Sequence, residues 1–214
     1  MRESASGAPS VLTVEEYLAR ERTGRVKHEY VAGEVYAMSP VSLRHSAITI
    51  NITVRLRDSA RARSCELFID VAVRVAADRY YYPDVVIMCG RPDDEQVVRV
   101  PCFVVEVTSP STRATDLREK AFAYRDAPSI QGYLIVEQKR KRVILYTRRS
   151  VTEWSKLELA GSGVIDVPCI DAQLSLDQIY EGIELPAISV REDEDEYTLE
   201  DYEREWVLNP VSRA

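Results

Sequence analysis

Asp84 in YYPDVVIM and Glu106 in PCFVVEVT each interrupt a run of β-branched and aromatic residues that otherwise reads as buried strand. A charge in such a run needs something to stabilise it. Side chains alternate along a strand, so Asp84 shares a face with Val86, and Glu106 shares one with Val104 and Thr108. If the two runs pair as neighbours, as sequential strands usually do, the carboxylates lie side by side. Two uncompensated carboxylates repel until one takes up a proton. A divalent cation removes the difficulty, and carboxylates are the preferred ligands of Mg2+ and Mn2+. The competing reading has one or both groups in solvent at a sheet edge, where a lone Asp or Glu usually sits. The order Pro83-Asp84, then Glu106-Val107-Thr108, sets one carboxylate on each of two successive strands, a loose pattern taken alone.

The elements that must position these groups are legible in outline. Thr13 and Glu16 fit a capping box ahead of a short helix from Val14 to about Arg20. HEYVAGEVYAMSP reads as two short strands around Ala32-Gly33. Ser42 caps a longer helix through about Ala62, with Ala47, Ile48, Ile52 and Leu56 near one face. Strand signals follow in CELFIDVAVRVA, YYPDVVIMC and RVPCFVVEVT. A second helix, about Asp116 to Arg125, stops before Pro128. GYLIVEQ and RVILYTRR form two more strands, and WSKLELA, VIDVP and LDQIYEG supply short strands and a last helical turn. The order of helix, strands, helix, strands describes one α/β domain with a mixed sheet.

Composition sets the frame. The 214 residues are 45% hydrophobic and 29% charged, an ordinary globular balance. No apolar run approaches the roughly 20 residues that cross a bilayer, and MRESASGAPS has no apolar signal core, so no membrane partner and a cytoplasmic location are expected. The net charge of −7 is uneven. Residues 191–214 hold three basic and nine acidic residues, leaving 25 basic and 26 acidic in the rest. The body is close to neutral and the acidity is mostly a tail. Two basic clusters stand out, Arg55, Arg57, Arg61 and Arg63, then Lys139 to Arg142 with Arg148 and Arg149; each reads first as a solvated face. The four cysteines, Cys65, Cys89, Cys102 and Cys169, lack any C-x-x-C pair and read as buried free thiols rather than disulfides or a zinc site.

The chain resembles the Uma-two family of endonucleases, within the PD-(D/E)-x-K, restriction-endonuclease-like superfamily. The residues that carry the likeness are TVEEYLA, HEYVAGEVYAMSP with His45 following, YYPDVVIM, PCFVVEVTSPST, DLREKAFAY and GYLIVE, from about Val11 to Leu185. The resemblance implies an α/β fold: a restriction-endonuclease-like core with a mixed β-sheet flanked by helices. It also implies divalent-metal dependence and phosphodiester hydrolysis. The expected organisation is a disordered leader over 1–10, a single nuclease domain over 11–185 and an acidic tail over 186–214.

Two positions depart from the superfamily pattern. Thr108 stands where a lysine is often found, two residues after the glutamate, and Glu137-Gln138 replaces an aspartate, a change expected to alter only a turn. Lys120 is the natural substitute for the missing lysine. It lies four residues after Asp116 and therefore on the same helical face. Without the resemblance the pair reads as an exposed ion pair worth about 0.3–0.5 kcal/mol; with it, Lys120 becomes the catalytic lysine. Glu34 in GEVY is a third candidate metal carboxylate, or a solvent-facing strand residue. His45, Thr108 and Asp116 are accessory candidates, His45 for phosphate or a ligand carboxylate and Thr108 for a hydrogen bond at most.

The expectation is an endonuclease using Mg2+ or Mn2+ on nucleic acid, DNA in the first instance. Asp84, Glu106 and Lys120 would be catalytic, with Asp84, Glu106 and Glu34 on the metal. A homodimer fits duplex cleavage, which needs two sites. The rival from another class is a non-catalytic nucleic-acid-binding or protein-interaction module on the same fold, suggested by Thr108 and the acidic tail.

Overall fold

The computed structural model describes residues 12–108 and 116–186. The expected leader, the SPST segment and nearly all of the acidic tail lie outside the described residues.

Helix α1 (Val14–Glu21) opens on the expected capping box, in which Thr13 accepts from the Glu16 N–H and Glu16 returns the bond to the Thr13 N–H. The hairpin of β1 (His28–Val31) and β2 (Glu34–Ala37) turns at Ala32-Gly33, both with positive φ (49° and 99°). Helix α2 (Leu43–Ala62) is capped by Ser42, whose Oγ accepts from the His45 N–H. Its buried side chains, His45, Ile48, Ile52, Leu56 and Ala60, recur at three- and four-residue spacing and form one face.

Two runs that read as single strands each divide between two sheets. CELFIDVAVRVA yields β3 (Cys65–Phe68) and β4 (Ala72–Ala76), broken where Asp70 takes a left-handed φ of 58°. Likewise, YYPDVVIMC yields β5 (Arg79–Tyr81) and β6 (Val85–Cys89), broken at Pro83, which has no N–H for a ladder. After β7 (Val97–Val98) and β8 (Pro101–Thr108), a five-residue π-helical turn, Asp116–Lys120, leads into α3 (Ala121–Asp126). Strands β9 (Gly132–Glu137), β10 (Arg142–Arg148) and β11 (Trp154–Ala160) follow. A hairpin of β12 (Val164–Val167) and β13 (Ala172–Ser175) then leads into α4 (Leu176–Ile179).

The central sheet has the order β11-β10-β9-β8-β6-β3, with β8 and β9 parallel and the other pairs antiparallel. A second sheet, β2-β1-β5-β4-β7, is also mixed. Strand alternation gives the central sheet two apolar faces. Val85, Ile87, Val105, Leu134 and Val136 pack with Ile48, Ile52 and Leu56 of α2. Val86, Val104, Tyr133, Ile135 and Ile144 pack with Ala121 and Tyr124 of α3 and with Val73 and Tyr81 of the second sheet. The result is a mixed β-sheet flanked by helices, the expected α/β architecture with a second sheet added. No described helix is long and apolar enough to cross a membrane.

The cysteine reading is overturned. Cys65 is bonded to Cys89 and Cys102 to Cys169, so none of the four is a free thiol. Pairing of β3 with β6 sets Cys65 opposite Cys89, and the turn after β12 carries Cys169 to Cys102, 67 residues away in sequence. Such juxtapositions belong to topology and leave no spacing signal. The basic clusters are largely engaged within the chain. Arg55 pairs with Glu181, Arg63 with Asp171, and Lys141 with Asp177. Arg148 donates to the carbonyls of Arg125, Ala127, Ile130 and Val151 while stacking 4.4 Å from the Trp154 ring.

Candidate active site

Asp84 sits one residue ahead of β6. The antiparallel register there pairs Val85 with Val105, and one further step sets Asp84 opposite Glu106. The Asp84 carboxylate is fixed on both sides: Oδ2 accepts from the Val107 N–H at 2.6 Å, and Oδ1 lies 3.1 Å from His45 Nε2. Glu106 is 5% exposed on the face of β8 that looks toward α3. Its Oε1 accepts from the Lys120 ammonium at 3.1 Å and from the Tyr124 hydroxyl at 2.8 Å.

Lys120 and Tyr124 reach one oxygen because they lie four residues apart on a continuous helical path. That path starts as a π turn, and the Tyr133 hydroxyl donates to the Asp116 carbonyl within it at 3.0 Å. The Lys120 ammonium also lies 2.8 Å from Glu29 Oε1 and 3.5 Å from Asp116 Oδ1, with the Tyr81 ring 5.7 Å away. Glu29 comes from β1 and is oriented by the Tyr82 N–H, which donates to Oε1 at 3.1 Å. The second sheet therefore delivers a carboxylate to a site otherwise built from the first sheet, α2, the π turn and α3.

The charges do not balance. Burial pushes the Glu106 carboxyl well above its ordinary value; Asp116, Asp84 and Glu29 push it the same way, while the Lys120 charge opposes them. For Lys120 burial works to lower the value, but Glu106, Glu29 and Asp116 outweigh it and hold the ammonium firmly protonated. Burial, with the Glu106 charge behind it, also raises the Tyr124 hydroxyl, which remains a donor. Three carboxylates, Glu29, Glu106 and Asp116, thus share one ammonium with Asp84 close by, and a further cation would relieve their repulsion.

The donor set suits a hard divalent cation, being made of carboxylate oxygens. Among the described residues no three carboxylate oxygens lie close enough together to cage an ion, and Glu29, Glu106 and Asp116 instead surround the Lys120 ammonium. Asp84 and Glu106, opposite each other in the strand register, are the pair that could hold such an ion. Mg2+ usually takes one or two carboxylates and fills its remaining positions with water and phosphate oxygens.

Asp84, Glu106, Lys120, Asp116 and His45 are brought together. Glu34 is not: it is exposed on β2 and hydrogen-bonded to Tyr36. Tyr36 pairs across the hairpin with Glu29, so Glu34 lies on the same sheet face but farther out. Thr108 is buried at the end of β8, where its carbonyl accepts from the Gln138 N–H at 3.4 Å. The Glu137-Gln138 departure does more than alter a turn. Gln138 is buried and accepts from the Ser42 hydroxyl at 2.6 Å, tying the end of β9 to the start of α2 beside His45.

Tyr124 escaped the sequence reading as a site residue, and Glu29 figured in it only as a supporting residue beside His28. Glu29 left a faint signal, a charge within the strand run HEYV, but its register with Tyr82 and Lys120 is long-range. Tyr124 is four residues beyond Lys120 and reads equally well as core.

A family model described as "Putative restriction endonuclease" (Uma2) matches residues 14–178. The uncharacterized protein slr1290 of Synechocystis sp. is 33% identical over 176 residues, covering 80% of this chain and 93% of that protein. A second Synechocystis protein, sll1609, is 31% identical over 157 residues, covering 71% of this chain and 89% of its own length. A crystal structure from Anabaena variabilis, described as a "putative nuclease belonging to DUF820", aligns with a TM-score of 0.63 at 16% identity, over 79% of this chain and 97% of that one. At that identity the likeness establishes the fold.

Proposed function

The chain belongs to the Uma2 family of restriction-endonuclease-like proteins, and from that premise we propose that it is a metal-dependent endonuclease acting on DNA with Mg2+ or Mn2+. The observation that carries the reading is the Lys120 ammonium, 3.1 Å from Glu106, with Asp84 in register across the strand pair.

Asp84 and Glu106 would hold the ion. Bound there, it would acidify a water molecule and offset charge at the scissile phosphate. The chain's own groups prepare the rest. The Val107 N–H and His45 fix the Asp84 carboxylate, and the Tyr124 hydroxyl fixes Glu106. Lys120, held protonated by its carboxylate neighbours, orients the attacking water or neutralises charge building on the phosphate oxygens. Glu29 and Asp116 keep that ammonium in place. Lys120 reaches Glu106 from the helix rather than from β8, and would thereby supply the charge that Thr108 cannot.

Calorimetric titration with Mn2+, paired with plasmid cleavage, tests this reading. Asp84→Ala and Glu106→Ala should each remove most of the metal binding and the cleavage. Unchanged binding in both variants would overturn the metal site. Bound metal with the plasmid intact under all conditions would instead favour a non-catalytic nucleic-acid-binding module.

A further inference from the structure

The four cysteines come from four separate segments: the start of β3, the end of β6, the second residue of β8 and the turn after β12. They nevertheless meet at one place. Cys65 and Cys89 are bonded, Cys102 and Cys169 are bonded, and Cys89 Sγ lies only 3.6 Å from Cys102 Sγ. The sulfurs of Cys89, Cys102 and Cys169 all fall within 4.8 Å of one another. Both Cys65 Sγ and Cys89 Sγ also lie 4.0 Å from the Cys169 carbonyl oxygen.

The two disulfides touch through Cys89 and Cys102, and Cys65, outside the group of three sulfurs, is joined to it through its bond to Cys89. Such proximity is what four thiolates around one ion require. In a tetrahedral tetrathiolate centre with bonds of about 2.3 Å, the sulfurs sit roughly 3.8 Å apart, close to the Cys89–Cys102 separation. The donors are all sulfur, and soft thiolates select Zn2+ over the hard cations that carboxylates take. Access also fits: Cys65 and Cys102 are buried, whereas Cys89 is exposed and Cys169 half-buried, so an ion can enter from solvent. The location is separate from the carboxylates. Cys89 ends the strand that Asp84 precedes, and Cys102 lies four residues before Glu106, about 13 Å along β8 at the usual rise.

We propose that, in its reduced form, the protein holds one structural Zn2+ on Cys65, Cys89, Cys102 and Cys169, tying the β12–β13 hairpin to the central sheet. The four thiols release four protons as they bind the ion. Starting from the two disulfides, an external thiol reductant must first supply four electrons, and solvent four protons. This inference does not depend on the nuclease reading, since no residue is shared between the two sites.

The test uses the full chain, reduced and then kept free of oxygen. Titration with Co2+ should develop intense sulfur-to-cobalt charge-transfer absorption, together with the strong visible bands of a tetrahedral ion, saturating at about one Co2+ per chain. Zn2+ should displace the colour. Octahedral binding at the carboxylates gives only weak bands and no sulfur charge transfer, so the two sites are distinguished in one spectrum. Cys169→Ser, in the turn after β12, should reduce the charge-transfer intensity and weaken Zn2+ retention against a chelator by at least about tenfold. Four titratable thiols in the reduced wild-type protein with no charge-transfer band would overturn the proposal without recourse to any variant. So would a Cys169→Ser protein whose spectrum and zinc retention match wild type.

Discussion

Lys120 is a buried cation held by three carboxylates, and Glu106 is a buried carboxylate held by a cation and a tyrosine. Neither group is stable there alone, so each substitution has a directional consequence. Lys120→Ala should lose about 10²–10³ in cleavage rate while still binding Mn2+, because an ammonium is never a metal ligand; titration and cleavage on one preparation separate the two effects. Glu29→Gln, beside that ammonium, should lower the cleavage rate, whereas Glu34→Gln, out on β2, should leave it near wild type. Equal losses in the two variants would show that the hairpin face acts as a whole. Glu106 also predicts a pH signature in metal-free protein. Its folded-state value is raised above the ordinary 4.5, so the folded state binds the proton more tightly than the unfolded chain. That stabilisation is present at low pH and is lost as pH rises from the unfolded value through the folded one. Thermal melts taken upward in pH from the ordinary carboxylate range should therefore fall more steeply for wild type than for Glu106→Gln.

At the scale of elements, the site depends on how β8 and β9 lie against each other. Gly132 opens β9 directly beside Phe103 in the parallel register, and a Cβ there would fall 2.5 Å from the Phe103 ring. The ring has to move if position 132 carries a side chain, and it belongs to the cluster that packs α2 on the sheet. Gly132→Ala should therefore cost about 1–3 kcal/mol in denaturant unfolding. The π turn plays a comparable part at the other edge of the site. It sets Asp116 and Lys120 at the entry to α3, where both side chains are buried rather than in solvent.

For the whole molecule, the uneven charge is the main lever. The body is close to neutral, while residues 191–214 carry most of the net −7. The family match ends at residue 178, and the described core ends with Tyr180 and with Ile183 and Leu185 packed against it. A chain truncated after residue 190 should therefore keep a single cooperative thermal transition. It should bind DNA more tightly than the full chain at low salt, with the difference fading as ionic strength rises. Loss of the transition would show that the aromatic residues of the removed segment contribute to the core.

The sequence by itself determined whatever rests on local chemistry. Capping residues and three-to-four spacing defined α1 and α2, the Ala32-Gly33 turn defined the first hairpin, and strand parity put Asp84 and Glu106 on one face. Each of these is set within a few residues by backbone sterics and side-chain alternation. Tertiary structure decided what depends on distant segments meeting. It broke two apparent strands between two sheets, and by doing so brought Glu29 rather than Glu34 to Lys120. It also gathered four scattered cysteines at one point and tied Gln138 to the start of α2. Those outcomes follow from sheet order and register, which are fixed by burial over the whole core and leave no mark in the spacing of residues along the chain.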